Sequence, residues 1–410
     1  MLACLLGGPA RARPPALVWK AELGSRLYSA PLVCELLPSP GQEVVVCAAE
    51  ARQVVALSAQ GKVLWRYGEG FSARLTPSPA AGDLDGDGQP EIVVAGGGSP
   101  ALLLCLDRAG ARRWERRLEG EMDWSAPVIA DLEGDGAPEI VVGTTSGQVC
   151  CYDGRGERRW QTKLEAGISS LLAVADVDGE GKAEVLVPCG RWLYCLDQAG
   201  QVKWRFEAPV SCNGASVGDL EGDGRPDIVL ACDEQTVYRL DAAGRMVWAY
   251  HGGYAGGGDG WMAAPALAEA GQGRLEIILG DGNGTLRGLD DRGRERWCYQ
   301  FGRPIGDPPT AGDVDGDGRL EVLAGFDDDG TVLCLEERPA VDWQFRADFR
   351  VVSSPTLADL DGDGRVEVLV TSNDHALYCL RPVGRRGGRL PWPRRAHDNQ
   401  QTGAWQGGRP

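Results

Sequence analysis

Short apolar runs recur along the chain, each about five residues long and each bounded by Gly, Asp or Asn. Between residues 125 and 164 they read SAPVIADL, EIVVGT, QVCCYD and RRWQTKL. These are β-branched or alternating segments of strand length, and the turn residues between them predict four β-strands rather than a helix. The same unit returns about every 45 residues nearly end to end, the period range of propellers and solenoids.

Two markers fix the count. A tryptophan closes each unit, at Trp19, Trp65, Trp114, Trp160, Trp204, Trp248, Trp297 and Trp343. An acidic loop follows the first strand: DLDGDGQPE from Asp83, DLEGDGAPE from Asp131, DVDGEGKAE from Asp176, DLEGDGRPD from Asp219, DVDGDGRLE from Asp313 and DLDGDGRVE from Asp359. Two copies are worn, ELLPSPGQE from Glu35 and EAGQGRLE from Glu269. Eight loops meet eight tryptophans only if Trp19, ahead of the first loop, belongs with the last. The sequence therefore predicts an all-β, eight-bladed β-propeller of four-stranded blades, its ring closed by the N-terminal strand around Trp19. The expected organisation is a leader or truncated signal peptide at 1–15, the propeller at 16–393 and a tail at 394–410.

Composition agrees with many tight turns: 59 glycines in 410 residues is about twice the usual share. Net charge is −17, from 42 Lys and Arg against 59 Asp and Glu. Such a surface repels phosphate backbones, so no nucleic-acid partner is expected, and no apolar stretch is long enough for a membrane-spanning helix.

The acidic loops suit a hard cation. Calcium takes six to eight oxygens, which acids at positions 1, 3, 5 and 9 and a carbonyl at position 7 begin to supply. Glycine at positions 4 and 6 permits the sharp turn. The expected ligand sets are Asp83, Asp85, Asp87, Gln89 and Glu91; Asp131, Glu133, Asp135, Ala137 and Glu139; and Asp176, Asp178, Glu180, Lys182 and Glu184. They continue with Asp219, Glu221, Asp223, Arg225 and Asp227; Asp313, Asp315, Asp317, Arg319 and Glu321; and Asp359, Asp361, Asp363, Arg365 and Glu367. About six structural Ca²⁺ ions would move the formal charge to about −5.

With their valine-rich following strands, these loops resemble the FG-GAP/VCBS-type calcium-loop repeats of integrin α-chain propellers and many bacterial secreted proteins. The tryptophan segments VVALSAQGKVLWRY and YCLDQAGQVKWRF resemble pyrroloquinoline-quinone-type (quinoprotein-type) propeller repeats. PWPRRAHDNQQTGAW, from Pro391 to Trp405, is similar to an element found beside such repeats. The phenylalanine-glycine and glycine-alanine-proline signatures of the integrin type are poorly kept, which counts against integrin-like adhesion.

The regular tryptophans read as packing between blades. Trp124, Trp192 and Trp261 lie off that column and, with Tyr28, are the candidate ligand-stacking residues. In a propeller the loops between first and second strands ring one face, leaving the other for a ligand. Candidates there are Asp327–Asp329, Asn373–His375, Asp281–Asn283 and the Gly-rich insertion His251–Trp261. The residues expected to start the innermost strands also vary: Tyr28, Thr76, Trp124, Ser169, Cys212, Met262, Gly306 and Val352.

Thirteen cysteines cannot all pair within one chain. Five of them, Cys105, Cys151, Cys195, Cys334 and Cys379, share one repeat position and read as small buried hydrophobes. Adjacent Cys150 and Cys151 offer the one feature that would suit a quinone-dependent dehydrogenase, yet neighbours on a strand point to opposite faces. Three scattered histidines make no metal site, and no nucleophile motif is present. The expected function is a non-enzymatic, calcium-binding module for a glycan or protein ligand, a monomer that is secreted, periplasmic or on the cell surface. The alternative is an enzyme on the same scaffold, a quinone-dependent dehydrogenase or a polysaccharide lyase.

Overall fold

The computed structural model describes residues 5–6, 14–38, 41–252, 262–271, 273–336, 341–384, 386–388 and 390. Among them the chain is all-β and forms eight antiparallel four-stranded sheets. Blades 1 to 7 span residues 32–67, 80–117, 128–163, 173–207, 212–251, 266–300 and 310–346. Blade 8 joins 356–381 to the N-terminal strand Ala16–Glu22, and Leu5–Leu6 runs parallel along the outer edge of blade 6.

The ring closes as the tryptophan count requires. Ala16–Glu22 pairs antiparallel with Ala376–Arg381, Trp19 opposite Cys379. The first strand of each blade lies innermost, beside the first strand of its neighbour. Thr356 Oγ1 and Thr371 Oγ1 donate to the Pro31 and Ser29 carbonyls, each 3.0 Å, and so bind blade 8 to blade 1.

Blade 3 shows why the sequence folds this way. Its second strand, Glu139–Gly143, is buried throughout, while its fourth, Arg158–Lys163, is largely exposed. Blades pack on both faces of the inner strands, so those strands read as unbroken apolar runs; the outer strand meets water and alternates. The five recurring cysteines are buried, each directly opposite a tryptophan, as with Cys151 and Trp160. Cys150 and Cys151 are both free thiols, and they pack into different clusters between blades.

In every blade the register of the third and fourth strands slips beside the tryptophan. Such a bulge re-aims a side chain, and here the indole turns to the next blade. Trp114 Nε1 donates to the Gly154 carbonyl at 3.0 Å, and Trp19 of blade 8 donates to the Ala59 carbonyl of blade 1 at 2.8 Å. Trp65, Trp160, Trp204 and Trp248 do the same. Gly156, at φ +76°, lies so close over Trp114 that a Cβ there would stand 2.7 Å from the ring. Trp297 departs, donating to Glu276 of its own blade, and Trp343 Nε1 is buried without an acceptor among the described residues.

One detail differs from expectation. The innermost strands begin at Leu32, Ala80, Val128, Ala173, Cys212, Ala266, Thr310 and Thr356. Except for Cys212, the residues expected to start them lie about four positions earlier, in the lead-in segments. Prolines such as Pro31, Pro79 and Pro127 stand just before the first ladder bonds, where a missing N–H costs nothing. The insertion His251–Trp261 and the segment Pro391–Trp405 lie largely or wholly outside the described residues.

Candidate cation loops and ligand face

Each acidic loop joins the first and second strands of its blade, so the loops share one face. In blade 2, Asp83 accepts the Gly86 N–H through Oδ1 and the Gly88 N–H through Oδ2, both at 2.8 Å. The glycines at positions 4 and 6 of all six intact loops have φ between +71° and +91°, the left-handed region that side chains avoid.

The last acid of each loop has a role that spacing alone does not reveal. Glu91, Glu139, Glu184, Asp227, Glu321 and Glu367 are buried. Each accepts the backbone N–H at position 2, at 2.8 to 3.2 Å, clamping the neck of its hairpin. Worn blade 1 keeps this clamp, with Glu43 accepting from Leu36 at 2.8 Å.

Positions 1, 3 and 9 converge in blades 2, 4, 7 and 8. Asp83, Asp85 and Glu91, and the equivalent trios of the other three blades, each offer oxygens within 4.8 Å of one another. Blades 3 and 5 form no such trio among the described residues. Position 3 is glutamate there, and Glu133 and Glu221 reach out to Arg159 and Arg239. Position 5 does not join the trios. Asp87, Asp135, Asp223, Asp317 and Asp363 instead cap the N–H of position 7, at 2.8 to 3.0 Å.

A basic side chain already enters most of these clusters. Arg113 Nη1 donates to Asp85 at 2.6 Å and Glu91 at 2.7 Å. Lys203 donates to Asp178 and, at 3.0 Å, to Glu184. Arg239 reaches Asp227 at 2.8 Å, and Arg381 reaches Glu367 at 2.7 Å and Asp361 at 2.8 Å. Burial lifts Glu91, Glu184, Asp227 and Glu367 above the usual carboxylate range, while the paired cation pulls them back.

Blade 7 differs. The residue before its tryptophan, where blades 2 to 4 carry Arg113, Arg159 and Lys203, is Asp342. No cation pairs with Asp313, Asp315 or Glu321 among the described residues. Asp313 and Glu321 are each only 2% exposed. Burial, followed by repulsion from Asp315, Asp313 and Asp317, pushes Glu321 up to about 8, and Asp315 and Asp342 are also raised. The chain after the last strand runs over this loop, so a Cβ on Gly388 would stand 2.1 Å from the Asp313 carbonyl. Three converging carboxylates with no counter-charge from the described residues fit a hard divalent cation better here than in any other described loop.

On the opposite face Tyr28 and Trp124 meet edge to face, ring centroids 6.5 Å apart. They come from the lead-ins to blades 1 and 3 and so bridge across blade 2, whose Thr76 Oγ1 donates to the Asp123 carbonyl at 3.0 Å. Trp124 remains 40% exposed. Burial and nearby Glu121 raise the Asp123 carboxyl. Trp192 lies elsewhere, on the third strand of blade 4, with the Arg205 guanidinium 4.3 Å from its ring centroid. Trp261 is outside the described residues.

Among the other acids of this face, Asp327 and Asp329 tie turns to the lead-ins of Arg350 and Arg303, while Asp281 and Asp374 bind partners on the third strand of their own hairpins. Asp327 takes two hydrogen bonds from Arg350 at 2.7 and 2.8 Å, Asp329 pairs with Arg303, and Asp281 pairs with buried Arg287 at 3.3 Å. Asp374 accepts from the Tyr378 hydroxyl.

Residues 139–214 match a family model described as the lambda-carrageenase beta-propeller domain, and residues 12–176 match one described as outer membrane protein assembly factor BamB. No curated protein matches the chain. Among solved structures it is similar to the V. cholerae biofilm matrix protein Bap1, at 16% identity and TM-score 0.70, covering 90% of this chain and 91% of that one. BamB from Moraxella catarrhalis is similar at 16% identity and TM-score 0.62, covering 90% and 98%. Saccharomyces cerevisiae Sqt1 is similar at 11% identity and TM-score 0.71, covering 92% and 100%. At these identities the likeness is one of fold.

Proposed function

We propose that this chain is a non-enzymatic binding propeller whose ligand seats at the channel mouth, opposite the acidic loops. The observation that carries this is the Tyr28–Trp124 pair, an exposed aromatic edge braced by two lead-ins on a closed ring. Exposed indole and phenol rings stack on the apolar faces of sugars and on protein side chains alike. The match over residues 139–214 to a domain named for an enzyme acting on carrageenan favours a glycan.

In this reading the loops are structural. Divalent cations, calcium foremost, take the trios of blades 2, 4, 7 and 8, and the blade 7 loop fills first because no cation among the described residues neutralises it. In blades 2, 4 and 8 the ion must displace Arg113, Lys203 or Arg381, which lowers affinity there. When bound, the ion supplies charge neutralisation. Asp313, Asp315 and Glu321 would hold it, and Glu321 at the same time keeps its grip on the Val314 N–H. Export to an envelope or extracellular compartment belongs to the same proposal, since such sites suit millimolar calcium. A glycan-array screen in millimolar calcium, repeated with chelator, tests the glycan reading. Defined hits support it, and a blank array from folded protein transfers the face to a protein ligand.

A further inference from the structure

We propose that Cys212 and Cys232 form a disulfide when the chain folds in an oxidising compartment. The inference stands independently of the ligand at the channel mouth.

The first strand of blade 5, Cys212–Gly218, has seven residues, where blades 1 to 4, 7 and 8 have three. The added length carries it to the rim of the ligand face. There Cys212 stands directly opposite Cys232, the last residue of the second strand. No other two of the described free cysteines share a register position.

The backbone pairing suits a bridge. One position further out, the Asp233 N–H donates to the Ser211 carbonyl at 2.9 Å, whereas the Cys212 N–H points away, to the Gly190 carbonyl of blade 4 at 2.8 Å. Cys212 and Cys232 are therefore a non-hydrogen-bonded pair, the kind whose Cα atoms approach to about 4.5 Å. That separation lies inside the disulfide window of about 4.4–6.8 Å. The two Sγ atoms are 3.5 Å apart. A bond of about 2.0 Å is reached by turning the side chains, with the backbone in place.

The chemistry balances through exchange with a disulfide oxidant, such as glutathione disulfide or a dithiol oxidase of the compartment. One cysteine thiolate attacks the oxidant's disulfide, expelling one thiol and forming a mixed disulfide. The second cysteine then attacks the mixed disulfide and expels the other thiol. The S–S bond forms, the oxidant leaves as two thiols, and the two electrons and two protons of the cysteines go with it. Exchange happens while blade 5 is still open. Closing the blade buries both cysteines in the apolar cluster between blades 4 and 5 and shields the bond from reductant.

The bridge complements the acidic loop. Asp219–Asp227 turns at the far end of the same hairpin, where Asp227 clamps the Leu220 N–H and pairs with Arg239. The disulfide fixes the end that faces the ligand.

The test refolds the full reduced chain with glutathione disulfide and glutathione, then maps the thiols without reduction. Both cysteines fall in one tryptic peptide, 206–239, because Arg225 precedes Pro226. The proposal expects that peptide to be lighter by two hydrogens, and its Cys212 and Cys232 halves to stay linked after cleavage at Asp219 and Asp223. It also expects both sulfurs to resist iodoacetamide in denaturant until reductant is added. In the folded Cys232→Ala variant the halves should separate and Cys212 should alkylate. Full alkylation of both cysteines in folded wild-type protein overturns the proposal, as does a cross-link from Cys212 to Cys189 or any other cysteine.

Discussion

Glu321→Gln is the sharpest probe of the blade 7 loop. The amide oxygen of the variant still accepts the Val314 N–H, so the hairpin clamp survives while the charge is removed. In the wild-type protein the Glu321 carboxyl moves from the ordinary 4.5 to about 8 on folding, first by burial and then by three neighbouring aspartates. The folded state therefore holds its proton more tightly than the unfolded chain. Stability falls as pH rises from about 4.5 to about 8 and levels off beyond. Between pH 5 and pH 8 the linkage amounts to about 3 to 4 kcal/mol. Urea unfolding of both proteins in chelator measures it. The difference, wild type minus E321Q, should fall by that amount over this range, and millimolar calcium should restore wild type but not E321Q. Parallel pH profiles for the two proteins, or equal rescue by calcium, would refute the reasoning.

Lys203→Met should lower stability in chelator by about 1 to 3 kcal/mol, because buried Glu184 loses its partner. The same variant should raise terbium uptake by one site, as the blade 4 trio opens to a cation, and luminescence titration reads this. Gly156→Ala drives a Cβ into the Trp114 indole from a left-handed backbone, so chemical denaturation should show a loss of at least about 2 kcal/mol, whereas Gly302→Ala, at φ +67° with open space around it, should cost less. Chelation of wild-type protein should lower its melting temperature at pH 8 more than at pH 5, where Glu321 is protonated in the metal-free fold; calorimetry at the two pH values checks this.

The ring closure was legible because it rests on a count: Trp19 has no loop of its own, and only a circular arrangement gives it one. The turn of each loop was equally open to reading, since Gly86 and Gly88 stand where any side chain would strain the backbone. Other features depend on which side chains the register brings together. Arg113 reaches Glu91 across 22 residues, and its only mark in the sequence is a basic residue just before the tryptophan. Asp342 breaks that rule, so the signal separating blade 7 was present but needs the paired strands to acquire meaning. Arg239 and Arg381 come from the third strand, at positions filled by other residue types elsewhere, and no offset points to them. Glu91 was readable as a cation ligand, but its clamp on the Leu84 N–H appears only once the hairpin neck is built. On the ligand face Tyr28 and Trp124 were separable from the packing tryptophans by position alone. That they touch follows from the way their lead-ins converge over Thr76. Trp192 looked equivalent to Trp124 in sequence; what sets it apart is Arg205 on the adjacent strand, lying against its ring.

The most direct measurement of the proposed function is glycan-array binding by wild-type protein and Trp124→Ala, side by side in millimolar calcium. The indole is exposed and its ring lies outside the buried clusters between blades, so the variant is expected to fold and to keep its melting temperature. Specific hits for the wild type that weaken at least about tenfold in W124A, the loss expected when one stacking ring is removed, would place the ligand at the channel mouth. Hits retained in full by W124A, or no hit at all from folded wild-type protein, would contradict a glycan seated there.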